Sequence, residues 1–191
     1  AERSDGGITV RNDTGVYEGG EISIYYDPMI AKLCTHAPTR GEAITAMSGA
    51  LDAFYVEGIQ HNIPFLSAIM ENPRWQSGAL STGFIAEEFK GGFTGHEITS
   101  GIKETLAEVA VVLDHIENRR KRLINGQMNG NGVHFAAARI VKLGKEWIPV
   151  SVSERTGALA DASGWYPGQP VFTAELGHGV VTVQVKRILN G

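Results

Sequence analysis

Arg11 is the residue with the most chemical promise in this chain. It lies in the string Val10-Arg11-Asn12-Asp13-Thr14-Gly15, which leads through Gly19-Gly20 to Tyr25-Tyr26-Asp27-Pro28. A guanidinium stays charged at physiological pH and presents its N–H donors as a rigid fork, so it suits an oxygen that gathers negative charge. On spacing alone, Arg11 is a charge displayed beside a turn. The six histidines (His36, His61, His96, His115, His134 and His178) are scattered, and Cys34 stands in an apolar stretch with no flanking base. There is no Gly-rich phosphate loop, zinc-type Cys/His spacing or nucleophile elbow.

The elements that would position Arg11 are short. Ile8 and Val10 before Asn12-Asp13-Thr14-Gly15, with Val16 and Tyr17 after it, predict a hairpin. Ile22, Ile24 and Tyr26 alternate as a third strand that Asp27-Pro28 ends. Met29 to His36 is a mostly apolar run of strand length. Thr39-Arg40-Gly41-Glu42 then has the form of a capping box. Ile44, Met47, Leu51, Phe54 and Tyr55 follow at helical spacing, and Gly58 is the expected end of that helix. Asn62 and Pro64 start a second helix that Asn72-Pro73 stops, and 75–89 reads as less regular. Glycines at Lys90-Gly91-Gly92 suggest a boundary, giving domains 1–92 and 93–191.

A long helix is predicted over 101–124, with Ile102, Leu106, Val109, Leu113 and Ile116 as its stripe and Arg119-Arg120-Lys121-Arg122 at its end. After the turn signals of 125–132 the period changes to two. Val133–Leu143, Trp147–Val152, Val171–Leu176 and Val180–Leu189 are predicted strands, with a turn at Arg155-Thr156-Gly157 and a further short strand over 158–163. The expected fold class is α+β, ending in a long helix wrapped by an antiparallel barrel-like sheet.

With 191 residues, 42% of them hydrophobic, the chain can bury a core. A formal net charge of -4 argues against a nucleic-acid partner. No apolar run approaches membrane-span length, and a single cysteine allows no intrachain disulfide. The expected setting is soluble and intracellular.

The words fall into an ordered series: Val10-Arg11, Asp13-Thr14-Gly15, Tyr25-Tyr26-Asp27-Pro28-Met29-Ile30-Ala31-Lys32-Leu33, Pro38-Thr39-Arg40, Gly58-Ile59, Asn62-Ile63-Pro64-Phe65-Leu66 and Ser81-Thr82-Gly83-Phe84-Ile85. From Val10 to Phe89 the series resembles the C-terminal part of the biotin carboxylase component of biotin-dependent acyl-CoA carboxylases. Glu21 to Ile30 is similar to propionyl-type α subunits, with Ser23-Ile24 where many relatives carry a proline.

That resemblance implies a ligase subunit acting on biotin, with ATP, magnesium or manganese, and bicarbonate bound by an ATP-grasp portion that this stretch does not contain. It implies that Arg11 is the catalytic and biotin-binding residue, lying by the ureido oxygen and stabilising the enolate formed when the ureido nitrogen is deprotonated. It implies a docking domain after the carboxylase lobe, a carboxyltransferase β subunit and the subunit's own biotin carrier domain as partners, and a docking loop at Asn125, Gly126, Gln127, Met128, Asn129 and Gly130. No Met-Lys-Met biotin-attachment motif is present, so the stretch by itself is expected to be inactive. Two other readings stay open: a non-catalytic scaffold module, and an α subunit of another type such as the methylcrotonyl one.

Overall fold

Three antiparallel strands open the first unit: β1 (Glu2–Asp5), β2 (Ile8–Thr14) and β3 (Ala31–His36), in the order β1-β2-β3. The computed structural model describes residues 2–23, 25, 27, 29–122, 136–177 and 179–188. It separates into two units, Ala1–His96 and Glu97–Gly191.

The hairpin turn is not where the sequence suggested. Gly6 (φ 55) and Gly7 (φ 82) make it, because a two-residue turn matching strand twist needs positive φ, which glycine adopts without a Cβ clash. β2 instead runs straight through the turn-prone residues, pairing Asn12 with Leu33, Asp13 with Lys32 and Thr14 with Ala31. Val16 and Tyr17 lie outside any strand. The expected third strand is also absent at Ile22, Ser23, Tyr25 and Asp27, while Ile24, Tyr26 and Pro28 lie outside the described residues. Both edges of β2 are already taken by β1 and β3, so the alternating run finds no ladder beside Arg11.

The capping box forms as the residues require. Thr39 Oγ1 accepts from the Glu42 amide (3.3 Å), and Glu42 Oε2 accepts from the Thr39 amide (2.9 Å), starting α1 (Arg40–Ala53). The helix ends at Phe54, well before Gly58, because the Phe54 amide already closes on the Leu51 carbonyl. α2 (Ile63–Glu71) has Pro64 in its first turn, and Asn72 ends it. Asn72 also caps α3 (Pro73–Ser77) by accepting from the Arg74 and Trp75 amides. α4 (Phe84–Glu88) completes the unit. Leu51, Ile69, Met70 and Phe84 form its core, with Leu33, Ile44, Met47, Trp75 and Phe89 packed around them.

The second unit is built on α5 (Ser100–Arg122). Val109, Val112 and Ile116 make one buried stripe, and Ala107, Val111 and Asn118 an adjacent one; Ile102 in the first turn is exposed. β4 (Ala138–Leu143) and β5 (Glu146–Ser151) pair across a Gly144-Lys145 turn. β6 (Val171–Leu176) and β7 (Gly179–Gln184) form a second hairpin. Between them, α6 (Glu154–Ser163) replaces the predicted turn at 155–157 and strand at 158–163. Ser153 and Thr156 form a reciprocal cap, Ala158, Leu159, Ala160 and Ala162 favour helix, and Gly164 ends it in the left-handed conformation (φ 61).

Among the described residues the four strands make two separate ladders and no closed barrel. Phe172, fully buried, sits with Ala174, Leu176, Ala160 and Trp165 against the Val109 stripe. The hydrophobic face of α5 is thus covered partly by a helix, which strand periodicity could not foresee.

Candidate functional site

Register assigns Arg11 to the open face of the first sheet. Side chains alternate along a strand and opposed residues share a face. Arg11 opposes Cys34 and Glu2, Asp13 opposes Lys32, and Thr9 opposes His36 and Ser4. Glu2, Ser4, Thr9, Arg11, Asp13, Lys32, Cys34 and His36 therefore share one face, and it is polar. The other face carries Val10, Asn12, Leu33 and Thr35, and α1 packs there through Leu33 and through the Thr35 hydroxyl, which donates to the Ala43 carbonyl at 3.0 Å. Apolar residues fasten the sheet to its helices, which leaves the charged set facing out.

On that open face Arg11 Nε donates to Asp13 Oδ2 at 3.1 Å, and both side chains are about half exposed, at 52% and 51%. The negative charge of Asp13, and then the neighbouring Cys34, raise the arginine pKa above its ordinary value. Arg11 thus stays a cation at every relevant pH. Asp13 is held in turn by the strand: Thr14 donates from Oγ1 to the Ile30 carbonyl at 3.0 Å, pinning the end of β2 to the start of β3. Sequence reasoning quoted Asp13 but gave it no role; the signal was its i+2 spacing from Arg11 on a strand.

The first unit also holds a cavity of about 690 Å³ lined largely by apolar side chains, Met29, Leu33, Met47 and Phe54 among them, with Asp27 and His61. Leu33 belongs to the helix-packed face, so the sheet separates this cavity from Arg11. His96 faces Glu71 (3.5 Å) and the Pro64 carbonyl (3.2 Å), and His115 is half-buried on α5. His134 and His178 lie outside the described residues. Among the described residues no three His, Cys, Asp or Glu side chains are grouped to hold a metal ion, and no helix is long and apolar enough to cross a membrane.

A half-exposed guanidinium, held by a carboxylate on a polar sheet face, fits a ligand that brings a polarised oxygen from outside the unit. The basic end of α5 is less free: Arg119 pairs with Asp161 on α6, and Lys121 donates to the Asn118 side chain at 3.4 Å. The expected docking loop, Asn125, Gly126, Gln127, Met128, Asn129 and Gly130, lies outside the described residues.

Comparison with known proteins bears on both units. Residues 2–87 match the biotin carboxylase C-terminal domain family, and residues 106–191 match the propionyl-coenzyme A carboxylase BT domain family. The propionyl-CoA carboxylase alpha chain of Ruegeria pomeroyi is 40% identical over 97% of this chain and 29% of its own length. The mitochondrial propionyl-CoA carboxylase alpha chain of Mus musculus is 43% identical over 53% of this chain and 14% of its own. A biotin carboxylase of Halalkalibacterium halodurans is 39% identical over 44% of this chain and 19% of its own. The chain thus spans less than a third of the length of these relatives. Between them the two family matches take up most of the chain, which therefore carries a biotin carboxylase C-terminal domain followed by a propionyl-coenzyme A carboxylase BT domain.

Proposed function

We propose that this chain is the C-terminal lobe of a biotin carboxylase joined to a docking module, acting within the alpha subunit of a propionyl-type acyl-CoA carboxylase. In that reading, domain 1–92 contributes to ATP-dependent carboxylation of biotin, and domain 93–191 docks to the carboxyltransferase beta subunit. The observation that carries it is the position of Arg11. The chain places a permanently charged guanidinium on the open polar face of a sheet whose other face is committed to its own core.

Biotin, when bound, offers a ureido nitrogen as the carboxyl acceptor. The part of this chain is electrostatic: Arg11 sets a fixed positive charge beside the ureido oxygen, where negative charge grows as that nitrogen loses its proton. Fixed charge of this kind needs no reorganisation at the moment of reaction. ATP, magnesium or manganese, and bicarbonate are assigned to parts of the subunit outside these residues, so the stretch alone is inactive in this reading. The subunit's own carrier domain brings the biotin, in the cytoplasm or the mitochondrial matrix.

In the second unit, the two hairpins on α5 are read as arcs of one barrel-like wall, and Asn125 to Gly130 as part of the surface that meets the beta subunit. Substituting Arg11→Ala in the full-length alpha subunit is expected to abolish biotin-dependent carboxylation while the unfolding midpoint stays within a degree or two. Normal turnover by that variant refutes the role of Arg11. Deleting 125–132 is expected to weaken capture of the beta subunit, and undiminished capture refutes the docking assignment.

A further inference from the structure

We infer that Asp13 is a positioning residue for Arg11, setting the direction in which the guanidinium presents its terminal nitrogens. The inference rests on the proposed role of Arg11 and goes beyond it by assigning the group that aims it.

The geometry runs from the backbone outward. Arg11 and Asp13 are two residues apart on β2, so their side chains leave the same face in the same direction. Asp13 is fixed at its Cα by pairing with Lys32, and the next residue, Thr14, is fixed by pairing with Ala31 and by its hydroxyl bond to Ile30. The carboxylate therefore has a defined anchor. It accepts a hydrogen bond from Arg11 Nε–H at 3.1 Å. A guanidinium is planar, so a bond at Nε limits rotation of the whole fork and leaves Nη1 and Nη2 as the donors for a second acceptor.

Without Asp13, an arginine about half exposed loses its carboxylate acceptor, keeps only the neighbouring Cys34 as a weaker side-chain partner, and samples several rotamers. Arg11 keeps its charge in that case and loses only its aim. The ion pair lies in solvent, so its worth to folding is small. Its consequence falls on orientation, where ångström-scale displacement costs rates up to about a hundredfold.

Two measurements test this, one of them independent of turnover. In nitrogen-15 NMR of the chain, the Arg11 Nε–H signal is expected to be resolved and slow to exchange with solvent. It should collapse to the solvent-averaged position in Asp13→Ala and stay shifted in Asp13→Asn, which keeps an acceptor oxygen. In the full-length alpha subunit with free biotin as substrate, Asp13→Ala is expected to lower kcat/KM for biotin by about tenfold, with Asp13→Asn intermediate.

An unaltered Nε–H signal in Asp13→Ala overturns the inference, as does a kcat/KM for biotin in Asp13→Ala equal to that of the parent. If Arg11→Ala itself leaves carboxylation intact, the catalytic reading of Arg11 fails, while the NMR comparison still decides whether Asp13 holds it.

Discussion

Arg139 on β4 donates from Nε to Asp114 Oδ2 on α5 at 2.5 Å, tying the first described strand beyond the long helix back onto that helix. Asp114 also accepts from Asn118 Nδ2 at 2.8 Å, so one carboxylate holds both the next turn of α5 and the hairpin. Arg139 is mostly buried, at 19% exposure, and it also donates to the Ala136 and Ala138 carbonyls. The β4–β5 hairpin is thereby located by a charge pair as well as by Val141 and Ile148 on its inner side.

Breaking that pair strands a partly buried charge. Arg139→Ala is expected to cost the second unit about 1.5–3 kcal/mol, the range for hydrogen bonds to charged groups. Asp114→Asn, which keeps an acceptor, is expected to cost less. Urea unfolding of the chain, followed by fluorescence, measures both. An Arg139→Ala midpoint equal to that of the parent shows the pair to be ornamental.

Two carboxylates in the first unit carry opposite pH signatures. Burial, and then the nearby charge of Glu71, raise the pKa of Asp52 above the usual carboxylate range. A raised acid favours the fold while protonated and loses that advantage as pH climbs through its folded pKa. Asp52→Asn is therefore expected to melt higher than the parent at pH 7, with the gain shrinking as pH falls through the raised value and gone below about pH 4. Asp52 also ends α1, where a negative charge opposes the helix dipole.

Glu88 behaves in reverse. It accepts from Asn72 Nδ2 (2.9 Å) and from Arg74 Nη1 (2.8 Å), and these bonds, the one from Asn72 first, hold its pKa below the ordinary value. The stabilisation is present at neutral pH and disappears as pH falls through that lowered value. Glu88→Gln is expected to melt below the parent at pH 7 and to converge with it in acid. Melting temperatures from pH 2 to 8 check both variants, and parallel curves for all three proteins refute the assignments.

Phe172 is fully buried between α5 and α6. Phe172→Ala is expected to cost about 3–5 kcal/mol through lost transfer energy and the cavity left behind. Calorimetry should show the second unit melting earlier while the first holds its temperature. A loss shared equally by the two units contradicts that division.

Thr39→Ala is expected to cost the first unit about 1 kcal/mol, since the Glu42 amide loses its acceptor and the reciprocal bond loses its reason. This element was also among the most legible in the chain. Thr39 and Glu42 stand three apart before an apolar face, and side-chain capping is local chemistry that spacing reports directly.

Legibility fell wherever a local signal competed with a ladder. Asn12-Asp13-Thr14-Gly15 has turn chemistry, yet the pairing of β2 with β3 along six positions from Thr9↔His36 to Thr14↔Ala31 outweighs it. Gly6-Gly7 makes the turn through two positive φ values, which a hydrophobic pattern does not show. In the second unit, Arg155-Thr156-Gly157 carried a turn signal, whereas Ser153 and Thr156 cap each other and start α6. The face of β2 that bears Arg11 followed from register, and register needs a partner strand that single-strand patterns do not name. Asp13 was visible in the same word as Arg11, but its grip on Nε depends on both residues leaving the strand on one side.

The middle position of β2 has a consequence for how the arginine is lost. Arg11 faces Glu2 on one ladder and Cys34 on the other, so its backbone has neighbours along both edges. Fraying begins at the ends of a sheet and along outer strands, and it can peel off β1 without moving Arg11. Displacing the guanidinium from its place requires the β2–β3 pairing itself to open, together with the helix packed beneath it. The arginine and the unit that carries it should therefore disappear in a single melting event.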